Sequence, residues 1–124
     1  MASVTQATIA TTVCRKGWAT PQHPPEVWTE ALKQRMVRAY YPKGTSLTLF
    51  ALDALIPVEI GGDHWSAANL WVEPKAQSLI KDNVEHAARA AVCRKVRPIP
   101  VAFAQGQMAL DWVAFGRALG VRVS

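Results

Sequence analysis

The apolar positions of the chain fall into runs whose period switches from helical to extended and back. From Glu26 onward Val27, Ala31, Leu32, Met36 and Ala39-Tyr40 recur at helical spacing, until Pro42-Lys43-Gly44 stops the pattern. Residues 46–52 read as a strand rich in Thr, Leu and Phe, Gly61-Gly62 as a turn, and Asn69-Leu70-Trp71-Val72 as a short second strand ending at Pro74. Residues 76–92 form an Ala-rich helix with Leu79-Ile80, Val84, Ala87-Ala88 and Ala91 on one side. A last helix runs from about Pro100, a residue suited to a first turn, through Phe103, Met108, Trp112 and Phe115. Gly106 within it costs about 1 kcal/mol relative to Ala, which points to close packing there. Upstream, Thr5-Gln6-Ala7-Thr8-Ile9-Ala10 reads as a short capped turn or helix, and residues 17–25 as a loop broken by Pro21, Pro24 and Pro25. The order strand, Gly-Gly turn, strand, helix over residues 47–92 is the centre of the pattern.

Composition narrows the class. A chain of 124 residues, 50% hydrophobic and 19% charged, suits one compact domain spanning 1–124 and excludes a coiled coil, a collagen-like repeat or a mainly disordered chain. Its apolar runs are too short to span a membrane, and no basic segment followed by an apolar one opens the sequence. The net charge of +5 is unevenly placed. Basic and acidic residues balance over 1–85, whereas 86–124 carries Arg89, Arg94, Lys95, Arg97, Arg117 and Arg122 against Asp111 alone. Such an excess either holds a polyanion by neutralising phosphates or merely solubilises the surface. Cys14 and Cys93 are either a bridge or a buried free pair; a bridge closing so long a loop would stabilise by about 4–5 kcal/mol and indicate an oxidising compartment. The Met1-Ala2-Ser3 start suits an exported, periplasmic or extracellular protein lacking its leader.

The strand–turn–strand–helix order sets Asp53 near a strand end, Asn69 opposite it, and Lys81-Asp82 and Glu85 on the helix that follows. Carboxylate oxygens in that arrangement suit a hard divalent cation, Mg²⁺ or else Mn²⁺, completing its shell with water and substrate phosphate. The same residues carry a resemblance. Leu52-Asp53-Ala54-Leu55-Ile56-Pro57-Val58-Glu59-Ile60-Gly61-Gly62 resembles the LDHLIPLELGG segment of a family of small bacterial HNH (ββα-metal) endonucleases. Asn69-Leu70-Trp71-Val72-Glu73-Pro74 is similar to its NLWPEP segment, and Lys81-Asp82 with Glu85 to its KDxxE. Thr5-Gln6-Ala7-Thr8-Ile9, Cys14 with Gly17-Trp18, Val92-Cys93, Ala104-Gln105 and Asp111-Trp112-Val113 resemble further family elements, so the likeness covers about residues 5–115.

The resemblance implies an α+β fold with a ββα-metal core over about 47–92, flanked by N- and C-terminal helices, and metal-dependent hydrolysis of DNA with little sequence preference. It also implies roles. Asp53 is a metal ligand, or in the plainer reading a turn-stabilising acid. Asn69 holds the loop that bears the base, or is a turn cap. Glu85 serves the site with Lys81, or the two form an ordinary i,i+4 pair on a solvated face. Asp82 and Gln77 are the weaker metal-ligand candidates. Arg89, Arg94, Lys95, Arg97 and Arg117 would grip the backbone, and Trp65, in the loop with Asp63 and His64, would touch nucleic acid, whereas Trp71 and Trp112 fall on core faces.

One departure dominates. Where the family places the His that takes a proton from the attacking water, this chain has Ala54, and loss of a positioned base removes about 10²–10⁴-fold in rate or more. An inactivated nuclease is therefore expected, whether through a deliberate His→Ala change, which the persistence of the other motif elements favours, or through decay into a binding protein. The rival readings are a non-catalytic nucleic-acid-binding module and a protein-interaction or toxin domain. The partners in view are DNA, RNA, and an inhibitor or immunity protein. Two cysteines and three scattered histidines offer no spacing for a structural zinc site.

Overall fold

The computed structural model describes residues 3–123, so Met1 and Ala2 of the expected leaderless start lie outside it. Three α-helices and one two-stranded antiparallel hairpin make an α+β arrangement: α1 (Glu26–Tyr40), β1 (Phe50–Ala54), β2 (Leu70–Pro74), α2 (Lys75–Val92) and α3 (Val101–Ala118), with short 3₁₀ turns between them. The first of these turns, Gln6–Thr11, is tied at its start by the Thr5 N–H donating to the Thr8 hydroxyl at 2.9 Å.

β1 pairs with β2 from Phe50↔Pro74 to Ala54↔Leu70. Because side chains alternate across a strand, Ala51, Asp53, Trp71 and Glu73 share one face and Phe50, Leu52, Ala54, Leu70 and Val72 the other. The apolar face packs on α1, where Leu32 meets Ala54 and Leu70, and Val37 meets Phe50 and Val72. The acid-bearing face packs on α2. The strand expected over 46–52 is shifted: Leu47–Leu49 is a 3₁₀ turn capped by the Ser46 hydroxyl, which accepts from the Thr48 N–H, and pairing begins at Phe50. The cause lies in the partner. β2 passes directly into α2 at Lys75, so nothing remains for residues before Phe50 to pair with.

The main core joins α2 and α3 to the N-terminal segment and the 58–60 turn, through Val84, Ala88, Val92, Ala104, Met108, Phe115, Val4, Val13 and Ile60. The last helix is not continuous. At Asp111 the backbone leaves helical geometry (φ −161°, ψ 84°), and the Asp111 carboxylate accepts from the Ala114 N–H at 3.0 Å, capping the second piece. The close packing expected at Gly106 is absent, since nothing lies within 4 Å of where its Cβ would be. Gly116 is the packed position: a Cβ there would fall 2.6 Å from Val84 and 2.9 Å from Val123. At the Gly-Gly turn, a Cβ on Gly62 would fall 1.6 Å from the Ile56 carbonyl, so only glycine closes it.

Cys14 and Cys93 form a disulfide with a Cα–Cα distance of 5.6 Å across a separation of 79 residues, and the Arg89 guanidinium donates to the Val13 carbonyl at 2.7 Å beside it. Bridge and hydrogen bond fasten the N-terminal segment to the end of α2. Such a bridge is at home in an oxidising compartment, and among the described residues no helix is long and apolar enough to cross a membrane. Replacing both cysteines by serine is expected to lower unfolding free energy by about 2–5 kcal/mol, read as a reduced urea midpoint. An unchanged midpoint would show that the bridge contributes nothing.

Candidate functional site

The acid face of the hairpin and the second turn of α2 meet at Lys81. Its ammonium lies 2.6 Å from the Ala54 carbonyl, 2.8 Å from Glu85 Oε2 and 2.9 Å from Asp53 Oδ2, and the residue is 1% exposed. The Asp53 contact is an ion pair. Lys81 and Glu85 are thus the i,i+4 pair that their spacing allows, but they are buried in the molecule and not on a solvated face.

Burial works against the Lys81 charge, but Glu85 and Asp53 outweigh it and raise its pKa, keeping the ammonium protonated. Burial, followed by the Asp53 charge, pushes Glu85 up to about 7 against the pull of Lys81. Glu73 is fully buried on the same face, and burial with the neighbouring Asp53 carboxylate pushes it up to about 8. Its Oε2 accepts from the Gln77 amide at 2.9 Å, while its Oε1 and Asp53 Oδ2 lack conventional hydrogen-bond partners; a proton held on Glu73 and shared with Asp53 supplies one. Sequence reasoning gave Glu73 no role. Its signal was an acid flanked by Val72 and Pro74 in a strand, two residues from Trp71 and hence on the face of its cross-strand partner Ala51 and of Asp53.

The other expected residues divide. Asp82 is half-buried, its pKa raised by burial and then by Asp53, and it makes no contact with Lys81 of the kind Asp53 and Glu85 make. Asn69 is built into the inter-strand loop: its side chain accepts from the Ile56 N–H and donates to the Ile56 carbonyl, both at 2.9 Å, and donates to the Asp63 carbonyl at 3.2 Å. Ala54 is 0% exposed, its methyl packed with Leu32 and Leu70 on the side away from Lys81. His64 lies in the same loop, its Nε2 accepting from the Val58 N–H at 3.1 Å and its Nδ1 3.1 Å from His23 Nδ1. Burial, then His23, lowers its pKa to about 4. The pair borders a cleft of about 480 Å³ that Glu26, Glu30, Lys33 and Leu52 also line. Trp65 is 53% exposed and lies 5.3 Å from the Trp28 ring.

Of the basic residues, Arg89 is half-buried and donates through Nε to the Val13 carbonyl. Arg94, Lys95, Arg97 and Arg117 are exposed, with the Arg94 guanidinium 3.4 Å from the Ala91 carbonyl. Among the described residues no three His, Cys, Asp or Glu side chains gather into a metal-binding group. Asp53 and Glu85, the oxygens the resemblance assigns to Mg²⁺, both pair with the Lys81 ammonium, and Gln77 turns its amide nitrogen to Glu73. A magnesium ion retains several waters, which a cluster with Lys81 and Glu73 this deeply buried does not admit. As placed, these residues do not fit the ion. Comparison with known proteins returns nothing: no family model, curated protein or solved structure matches the chain.

The shifted groups predict how stability follows pH. Glu73 and Glu85 hold protons more tightly when folded, so their contribution is complete below the ordinary carboxylate range near 4.5 and is lost as pH rises through about 7 and about 8. His64, with its pKa lowered to about 4, favours the unfolded chain below 6.5 and ceases to matter above it. The two effects oppose one another between pH 4.5 and 6.5, and only the carboxylate loss remains higher up. Unfolding free energy is therefore expected to fall from pH 6.5 to 8.5, by at most about 1.4 kcal/mol per pH unit for each group releasing its proton. Urea titrations at several pH values test this: Glu73→Gln should flatten the slope, and a wild-type profile rising over that interval would contradict the assignment.

Proposed function

We propose that this chain is a nucleic-acid-binding domain of the ββα-metal (HNH) type that holds DNA without hydrolysing it. The observation that carries the reading is the unbroken passage β1–loop–β2–α2, in which a strand-end acid, Asp53, meets Lys81 and Glu85 from the helix while Asn69 pins the loop between the strands. This is the arrangement that the LDHLIPLELGG, NLWPEP and KDxxE resemblance implies. The same resemblance assigns the attacking water's proton to position 54, where alanine has no group to receive it.

Binding would rest on phosphate contacts from Arg94, Lys95, Arg97 and Arg117, with the exposed Trp65 ring available for stacking. Phosphate contacts carry no sequence information, so sequence preference is weak. RNA offers the same phosphates, and competition between duplex DNA and RNA decides between them. A partner that is an acidic inhibitor or immunity protein would meet the same basic residues.

Plasmid incubation with Mg²⁺ or Mn²⁺, with an EDTA control, tests the absence of hydrolysis; gel retardation across a salt series tests binding. The expected result is retardation without nicking, with log K falling linearly in log salt, and a slope shallower by about 2 in Lys95→Ala/Arg97→Ala. Cleavage by the wild-type chain, or no retardation at low salt, would overturn the reading. In Ala54→His the larger side chain must displace Leu32 or Leu70, costing about 1–3 kcal/mol, so its folding is measured first. Metal-dependent cleavage by that variant would instead mark the chain as a nuclease disabled at position 54 and would require a metal site that the buried Lys81 cluster does not offer.

A further inference from the structure

We infer that Lys81 is the resident cation where β1 meets α2, taking the place of a divalent metal, so that the domain folds metal-free. The oxygens around its ammonium come from two elements: the Asp53 carboxylate and Ala54 carbonyl from the end of β1, and the Glu85 carboxylate from α2. They surround it as ligands surround an ion, at 2.6, 2.9 and 2.8 Å. These are the distances of charge-assisted ammonium–oxygen contacts, about 2.7–2.9 Å.

Charge and access agree with the spacing. Lys81 neutralises part of an acidic group in which Glu73, buried beside Asp53, keeps its proton at neutral pH. A second cation entering would meet the ammonium at contact distance, so it must first expel a side chain that is 1% exposed and whose stem runs beneath β1. The helix supplies the ammonium at fixed register: Lys81 and Glu85 are one turn apart and therefore face the strand end together. A metal ion links a strand to a helix only while bound. Lys81 makes the link covalently from one side.

The inference concerns the cluster alone, and failure to bind nucleic acid would leave it standing. Its test is made without nucleic acid, by thermal unfolding and calorimetric titration of the full chain. The wild-type melting temperature is expected to be the same in EDTA, Mg²⁺, Mn²⁺ and Ca²⁺, and Mn²⁺ titration should show no one-equivalent site. Lys81→Met keeps the stem but removes the charge, leaving buried carboxylates uncompensated; its melting temperature is expected to fall by roughly 10 °C or more. Lys81→Ala opens the shell, and Ca²⁺ or Mn²⁺ is expected to restore part of its loss while leaving the wild type unmoved. Stabilisation of the wild type by a divalent ion, or one-equivalent Mn²⁺ binding that Glu85→Gln abolishes, would overturn the proposal. So would a Lys81→Met protein as stable as the wild type. The wild-type titrations need no variant to fold.

Discussion

The structure turns on one buried ammonium. A hairpin with five-residue strands is marginal in water and needs cover on both faces. On its apolar face, α1 provides that cover by ordinary burial of Leu32, Val37, Phe50 and Val72. The opposite face carries Asp53 and Glu73, and an apolar helix laid over them would strand two carboxylates at a cost of several kcal/mol each. Lys81 makes the second cover possible, since it brings a compensating charge on the helix itself and satisfies the Ala54 carbonyl at the strand end. The fully buried Glu73 is accommodated differently, by retaining its proton.

Much of this was legible in residue patterns, and the exceptions have physical causes. Periodicity located α1 and α2 because their stripes are long, and Pro42 and Pro74 mark real ends. It misplaced β1 because Thr and Leu suit strands generally, whereas the onset of pairing depends on where the partner strand turns into helix. It made α3 continuous because apolar residues run through Asp111, whose side-chain cap on Ala114 is invisible to a hydrophobic pattern. At the site, the spacing of Lys81 and Glu85 was readable but their burial was not, since an i,i+4 pair looks alike on either side of a helix. Glu73 went unassigned because its importance depends on register: only pairing of Ala51 with Glu73 sets that carboxylate beside Asp53. The bond from Arg89 to the Val13 carbonyl spans 76 residues and so leaves no local pattern to read.

Strand alternation also explains what Ala54 does. Successive residues of β1 point to opposite faces, so Asp53 addresses α2 while residue 54 addresses α1. Leu32 and Leu70 close completely over the alanine methyl. The small side chain thus lets α1 seat fully against the strand end, and a histidine there would hold the two apart. Tight closure of this face follows from that one small residue.

The two histidines beside the inter-strand loop are engaged with each other. The Val58 N–H can only donate, so the His64 Nε2 that receives it carries a lone pair, and the neutral ring must bear its proton on Nδ1. That proton is directed at His23 Nδ1, 3.1 Å away, which is then an acceptor. Both nitrogens of His64 are occupied, and burial holds its pKa near 4, so it has no free lone pair with which to take a proton from water. His23 uses the lone pair of its neutral ring on His64 and presents only Nε2–H outward, a donor suited to an anion and not a base. His86 is exposed and meets Glu59 through Nδ1 at 2.9 Å, a contact that does not involve its Nε2. Around the strand end, Lys81 holds the Asp53 and Glu85 carboxylates while His64 and His23 hold each other, so these polar groups are positioned from within the fold.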